Sequence, residues 1–165
     1  MTRRGGGSVD SMVEFRQASP ADPESHAILA DYFRLRAAEF PGGTYSPVFP
    51  SADAFRPPQG VFLLAGPVGG VVGCGGIRRL EETPAGIRYE VKHLFLRPET
   101  RGKGWGRALM IELEAQARDW GATELVLDTH HSLTAAGSLY ARSGFEQIPA
   151  YNDNPNATRW YRKTL

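Results

Sequence analysis

At 165 residues, with 41% apolar and 22% charged side chains, the chain has the size and balance of a single soluble globular domain. A formal net charge of +1 gives no global pull toward nucleic acid or anionic lipid, so such partners are disfavoured and any anion site must come from local placement of Lys and Arg. The single cysteine, Cys74, excludes an intrachain disulfide and a cysteine metal cluster, and it fits a reducing cytoplasm.

Residues 1–12, with Gly5-Gly6-Gly7-Ser8, are expected to form a flexible tail before one domain at 13–165. No apolar stretch approaches the roughly 20 residues of a membrane span, and the start lacks a signal-peptide core, so a soluble, cytoplasmic protein is expected.

Residues 12–16 alternate apolar and polar, which predicts a first strand. Ser19-Pro20-Ala21-Asp22 then offers an N-cap, a proline at N1 and an acid at N3, predicting a helix with Ile28, Leu29, Tyr32, Phe33 and Leu35 on its apolar side and a stop at Pro41-Gly42-Gly43. Residues 45–59, rich in proline and without period, read as a long loop or broken helix over one face of the core. Residues 61–65, 71–77 and 88–96 predict three strands joined by Gly/Pro turns short enough for antiparallel hairpins. Cys74 sits in the second of them with no Lys, Arg or His beside it, which predicts a buried, inert thiol.

After Pro98 the period changes. Trp105, Leu109, Met110, Leu113, Ala117 and Trp120 fall on one helical face, with Gly121 at the C-terminal cap. A strand at 124–128, a helix from Ser132 to Gly144, and strands at 145–148 and 158–163 around the turn-rich 152–156 complete the chain.

Between the strand ending at Leu96 and the helix starting near Gly104 stand Arg101, Gly102, Lys103, Gly104, Trp105, Gly106 and Arg107. Glycine lets a phosphate approach the backbone, a helix start offers unpaired N–H groups and the positive end of its dipole, and three cations add charge there. Three glycines at a helix start, each costing up to about 1 kcal/mol of propensity, favour an anion cradle over a merely tight turn. A dinucleotide-binding unit is the weaker alternative. It needs G-x-G-x-x-G, and counting from Gly102 or Gly104 puts Arg107 or Leu109 at the final position.

Arg101-x-x-Gly104-x-Gly106 resembles the cofactor motif of the GNAT superfamily of N-acetyltransferases, and Ala136-x-x-Leu139-Tyr140-x-x-x-Gly144-Phe145 resembles its late cofactor-binding helix. The resemblance implies a mixed α/β fold, with a mostly antiparallel central sheet of six to seven strands flanked by about four helices. It also implies acetyl-CoA as cosubstrate, without a metal. Leu94, Phe95 and Leu96 would offer backbone to the pantetheine arm, residues 101–107 would hold the pyrophosphate, and Ala136 and Tyr140 would complete the cofactor site. Where many members carry an Asn near the late helix, this chain reads His130, His131, Ser132 and Leu133. Neighbours in a strand-like segment point opposite ways, so the two histidines read as solvated or supporting residues rather than metal ligands.

Acetyl transfer needs a neutral amine, and an alkyl amine of pKa about 10 is only about one part in a thousand neutral at pH 7, which calls for a base such as a carboxylate or a water chain leading from one. In the family that base often stands near the start of the strand before the glycine turn, where Glu90 lies; the alternative is an exposed strand glutamate. Tyr140 matches the family's usual acid, a phenol of pKa about 10 facing a thiolate of about 8.5; the alternative is a core aromatic. Trp160 and Tyr161 read as core. The implied reaction is direct attack by a primary amine, a small molecule or amino acid, on acetyl-CoA in a ternary complex. A catalytically silent acyl-CoA sensor and a homodimeric assembly stay open.

Overall fold

The computed structural model describes residues 13–42 and 45–165, so the expected tail, Met12 of the first strand and Gly43 of the helix stop lie outside the described residues. One seven-stranded sheet runs through them: β1 (Phe15–Gln17), β2 (Gly60–Ala65), β3 (Gly73–Arg79), β4 (Arg88–Leu96), β5 (Glu124–Thr129), β6 (Glu146–Ile148) and β7 (Arg159–Thr164). Their spatial order is β1-β2-β3-β4-β5-β7-β6. Every pairing is antiparallel except β4 with β5. A doubly wound sheet is mostly parallel, whereas here one pairing in six is, so the dinucleotide-fold reading fails. Three α-helices flank the sheet, α1 (Pro23–Glu39), α2 (Trp105–Asp119) and α3 (Thr134–Arg142), with two short 3₁₀ turns at Asp53–Phe55 and Pro98–Thr100 in place of a fourth.

Helix α1 starts three residues later than its first capping signal suggests. A helix begun at Pro20 would put Pro23 where an N–H must bond the Ser19 carbonyl, and proline has none. Ser19 instead closes a turn with Asp22, whose side chain accepts from the Ser19 amide at 3.1 Å, and Pro23 takes the first helical position. Helix α3 likewise starts after Ser132, whose hydroxyl lies 2.7 Å from His130 Nδ1.

Alternation along β2 builds a core on each face. Phe62 and Leu64 join Ile28, Leu29 and Phe33 of α1, while Val61 and Leu63 join Leu109, Met110 and Leu113 of α2. Each fully buried Leu or Met of α2 contributes on the order of 2 kcal/mol, which anchors that helix and fixes where its N-terminus points.

On β4 the alternation breaks. Tyr89 and Val91 face the α2 side, yet Phe95, at the same parity, packs on the α1 side. The register explains it: Cys74 pairs with Phe95 but Gly76 with Lys92, so β4 carries one extra residue. His93 sits at that bulge with φ +56°, and a one-residue bulge exchanges the faces beyond it.

Candidate active site

Strands β4 and β5 pair only over Arg88–Glu90 and Glu124–Val126. Past that point β5 stays with β7 up to Thr129, while β4 bends away at the bulge. The two strands form a fork, and the backbone edge of β4 from Val91 to Leu96 is not paired with β5. A cavity of about 520 Å³ fills the fork, within the roughly 300–1,000 Å³ of small-molecule sites. Residues 91–94 of β4, Asp128 and Thr129 of β5, and Leu133, Ala136 and Tyr140 on the α3 side line it. The roof comes from α1, the 45–55 loop and the asparagine-rich 152–156 turn.

The predicted cofactor residues fall into two groups. Leu94, Ala136 and Tyr140 line the cavity. Phe95 turns into the α1-side core, so only its backbone can meet a ligand in the fork. Leu96 and the 101–107 turn lie beyond the cavity, past the open end of the β4 arm: a Cβ on Gly106 would come 3.3 Å from Leu139 of α3 and 3.5 Å from Leu96 of β4. Glycine at 106 thus lets α2 start close against both elements.

Gly102 and Gly104 have φ of +82° and +78°, and added Cβ atoms there would meet nothing within 4 Å. Only Gly106 is inside α2. Of the three glycines expected inside the helix start, one therefore bears a helix-propensity cost, and the other two answer to backbone conformation. The cradle rests on different observations. No side chain caps α2, and the amides of Gly106 and Arg107 have no carbonyl one turn back within the helix. Arg101, Lys103 and Arg107 are exposed around that positive helix end. Lys103 Nζ stands 4.9 Å from the Trp105 ring centre.

Tyr140 is 6% exposed, with ring centroids of Phe145 and Tyr161 at 6.0 and 5.8 Å. Burial pushes its pKa above the ordinary phenol value, so it stays protonated at working pH. Glu90 is not an exposed strand residue. It is 1% exposed, accepting from Arg78 Nε at 2.9 Å and from the Tyr151 hydroxyl at 2.6 Å, with Lys92 Nζ 3.9 Å away. Arg78 lines the cavity and Glu90 stands behind it.

Several residues of the site carried no signal that singled them out in the sequence. Asp128, at the end of β5, accepts from Lys92 Nζ at 3.0 Å and Asn152 Nδ2 at 2.7 Å. Burial pushes its pKa up, but Lys92 and Asn152 outweigh that and hold it below the ordinary carboxylate value. Trp160 Nε1 donates to Asn152 at 2.8 Å, which ties the 152–156 turn to the sheet. His93 is pushed down to about 3, first by burial and then by Lys92 and Arg78, so it is neutral. Arg36 of α1 is 7% exposed, donates to the Asn156 carbonyl at 3.0 Å and lies 5.2 Å from the Tyr45 ring centre.

His130 and His131 do not point opposite ways. Their rings stack at 4.4 Å because both lie past the end of β5, where strand alternation no longer applies. Cys74 is fully buried, donates to the His93 carbonyl at 3.3 Å, and has its pKa raised by burial. Among the described residues no group of three His, Cys, Asp or Glu side chains could hold a metal ion, and no helix is long and apolar enough to cross a membrane.

The chain is 39% identical over 84 residues to an IAA acetyltransferase of Azospirillum brasilense, covering 51% of this chain and 53% of that protein. It is 28% identical to an aminoglycoside N(6')-acetyltransferase type 1 of Stenotrophomonas maltophilia over 84% of this chain and 90% of that one. It spans 61% and 47% of the length of two further curated relatives, uncharacterized N-acetyltransferases of Schizosaccharomyces pombe and Escherichia coli. The PaiA N-acetyltransferase of Thermoplasma acidophilum, solved in complex with coenzyme A, superposes with a TM-score of 0.69 at 18% identity, covering 93% of this chain and 99% of that one, and so shares the fold. A family model for the acetyltransferase (GNAT) family matches residues 25–145, most of the chain, which therefore belongs to that family.

Proposed function

We propose that this protein transfers the acetyl group of acetyl-CoA to the primary amine of a small molecule, by direct attack with both substrates bound. The observation that carries the reading is the fork itself: an unpaired β4 edge leads from the cavity to an uncapped helix start ringed by cations. An extended pantetheine arm suits an unpaired strand edge, as an added strand would. A pyrophosphate suits the amides of Gly106 and Arg107, with open space in front of Gly102 and Gly104. The coenzyme A held by the Thermoplasma neighbour supports the same ligand here.

Bound acetyl-CoA supplies an activated acyl carbon and a thiolate leaving group. The chain supplies the proton transfers. Tyr140 donates to the departing sulfur; burial raises its pKa, but it disfavours the thiolate in the same place, so the two shifts partly cancel. Asp128 faces the cavity with a lowered pKa, which makes it a good anchor for an ammonium and a poor proton acceptor. Glu90 takes the amine's proton at one remove, through a water chain past Arg78, which already bonds it.

A panel of primary amines incubated with acetyl-CoA and a thiol-detecting reagent tests the reading. Amine-dependent thiol release is expected. Binding of acetyl-CoA with no release by any amine would make the chain an acyl-CoA sensor instead.

A further inference from the structure

Three cations line the cavity, Arg36, Arg78 and Lys92, against one carboxylate, Asp128. Arg78 is paired with Glu90 at 2.8 Å and Lys92 with Asp128 at 3.0 Å. Arg36 differs from both. It is 7% exposed, and no carboxylate among the described residues pairs with it; its partners are the Asn156 carbonyl, the Tyr45 ring face and the Tyr32 hydroxyl, all of them neutral. A buried guanidinium has five donors in a planar fork, and leaving it without an anion is unfavourable unless a ligand provides one. Arg36 opens on the cavity, so the ligand that provides it binds there.

Away from these charges and the asparagine-rich turn, one side of the lining is largely aromatic and apolar. Tyr32, Phe33 and Phe55 pack around the neutral His93, Tyr45 and Phe49 pack on Phe33, and at the rim Val48 and Phe49 are 73% and 43% exposed, surface that a bound apolar group would cover. Asp128 lines the same cavity as Tyr140, so the ammonium anchor and the proton donor share one site.

Resting on the acetyl-transfer reading, we propose that the acceptor is an amino acid with an aromatic or large apolar side chain, its carboxylate held bidentately by Arg36 and its amine received at Asp128. A polyamine brings several cations to a lining that is already cationic, and it leaves Arg36 unpaired.

The test compares phenylalanine, phenethylamine, which is the same amine without the carboxylate, and spermidine in the thiol-release assay. It uses the full chain and its Arg36→Met and Arg36→Lys variants. A charge-assisted bidentate contact predicts that kcat/KM for phenylalanine exceeds that for phenethylamine by about 30-fold or more, with spermidine lowest. Arg36→Met should erase that preference through KM, leave phenethylamine within about threefold of its own value, and be partly rescued by Arg36→Lys. Calorimetry with N-acetylphenylalanine in the absence of cofactor gives a second readout, with binding expected in the native chain and lost in Arg36→Met. If phenethylamine or spermidine is preferred, or if Arg36→Met slows all amines alike with a lowered melting temperature, Arg36 is structural and the proposal is overturned while acetyl transfer stands. If no amine is acetylated yet N-acetylphenylalanine binds through Arg36, the carboxylate site stands and the transfer reading falls.

Discussion

Replacing Tyr140 by Phe removes one hydroxyl and nothing else. No described residue is hydrogen-bonded to that hydroxyl, and the ring's contacts with Phe145 and Tyr161 are made by its faces and edges, so no buried partner is orphaned. Stability should therefore move by no more than about 0.5 kcal/mol. The rate should move far more. General acid catalysis contributes about 10²–10⁴-fold, and the raised pKa of Tyr140 weakens its drive to donate, which places the loss near the lower end, about 10²-fold or about 2.7 kcal/mol of barrier. Steady-state thiol release with saturating acetyl-CoA reads kcat, a thermal melt reads stability, and calorimetry should show cofactor affinity unchanged within about twofold. Because burial holds the phenol above its ordinary value of about 10, the native enzyme should show no alkaline loss of rate from Tyr140 below about pH 10. A folded Tyr140→Phe variant whose kcat stays within about threefold of native would remove Tyr140 from the chemistry and leave it a core aromatic.

Glu90→Gln should lower the rate most at neutral pH and less at high pH, where free amine is abundant; it should also destabilise the fold, because Arg78 loses a fully buried anion. A pH profile merely scaled down would make Glu90 a support for Arg78 alone. Gly104→Val is a poor probe of the cradle, because a β-branched residue at φ +78° is strained wherever the ligand binds. Gly104→Asn tolerates that conformation and should cut acetyl-CoA affinity by about tenfold or more with little change in melting temperature, whereas Gly106→Ala directs its Cβ at Leu139 and Leu96 and should alter stability by no more than about 1 kcal/mol. Undiminished affinity in Gly104→Asn, read by calorimetry, would move the cradle elsewhere. His93 has a folded pKa of about 3 against 6.5 when unfolded. As pH falls below 6.5 the unfolded chain takes a proton the folded chain refuses, so stability should drop by at most about 1.4 kcal/mol per pH unit, levelling off near 3. Urea melts of His93→Asn, which tolerates φ +56°, should show a shallower acid slope than the native chain; equal slopes would mean the ring is protonated in the folded state.

The readable parts of the molecule are those with a period or a punctuation mark. Residues 88–96 read as a strand between turn signals, and β4 has those limits; Leu109, Met110 and Leu113 mark the buried stripe of α2. The glycine turn is legible because its residue types are chemically unusual together, although two of its three glycines serve backbone conformation rather than helix entry. The acceptor side was not legible. The bulge at His93 coincides with a break in alternation at Lys92-His93, but such a break does not by itself say that the strand continues and changes faces there. Arg36 looks like any cation on an amphipathic helix, and its burial depends on the 45–55 loop and the 152–156 turn closing over it from distant parts of the chain. Asp128 pairs with Lys92 across 36 residues, a contact created by the fork rather than by spacing.

Amide hydrogen exchange with and without acetyl-CoA tests the fork most directly, because it reports on the backbone groups assigned to the cofactor. Acetyl-CoA should slow exchange along residues 91–96 of β4 and at Gly106 and Arg107, with no change on adding NADH. Acetyl-CoA that binds while those amides exchange at their free rate, or NADH that protects them equally, would contradict that assignment.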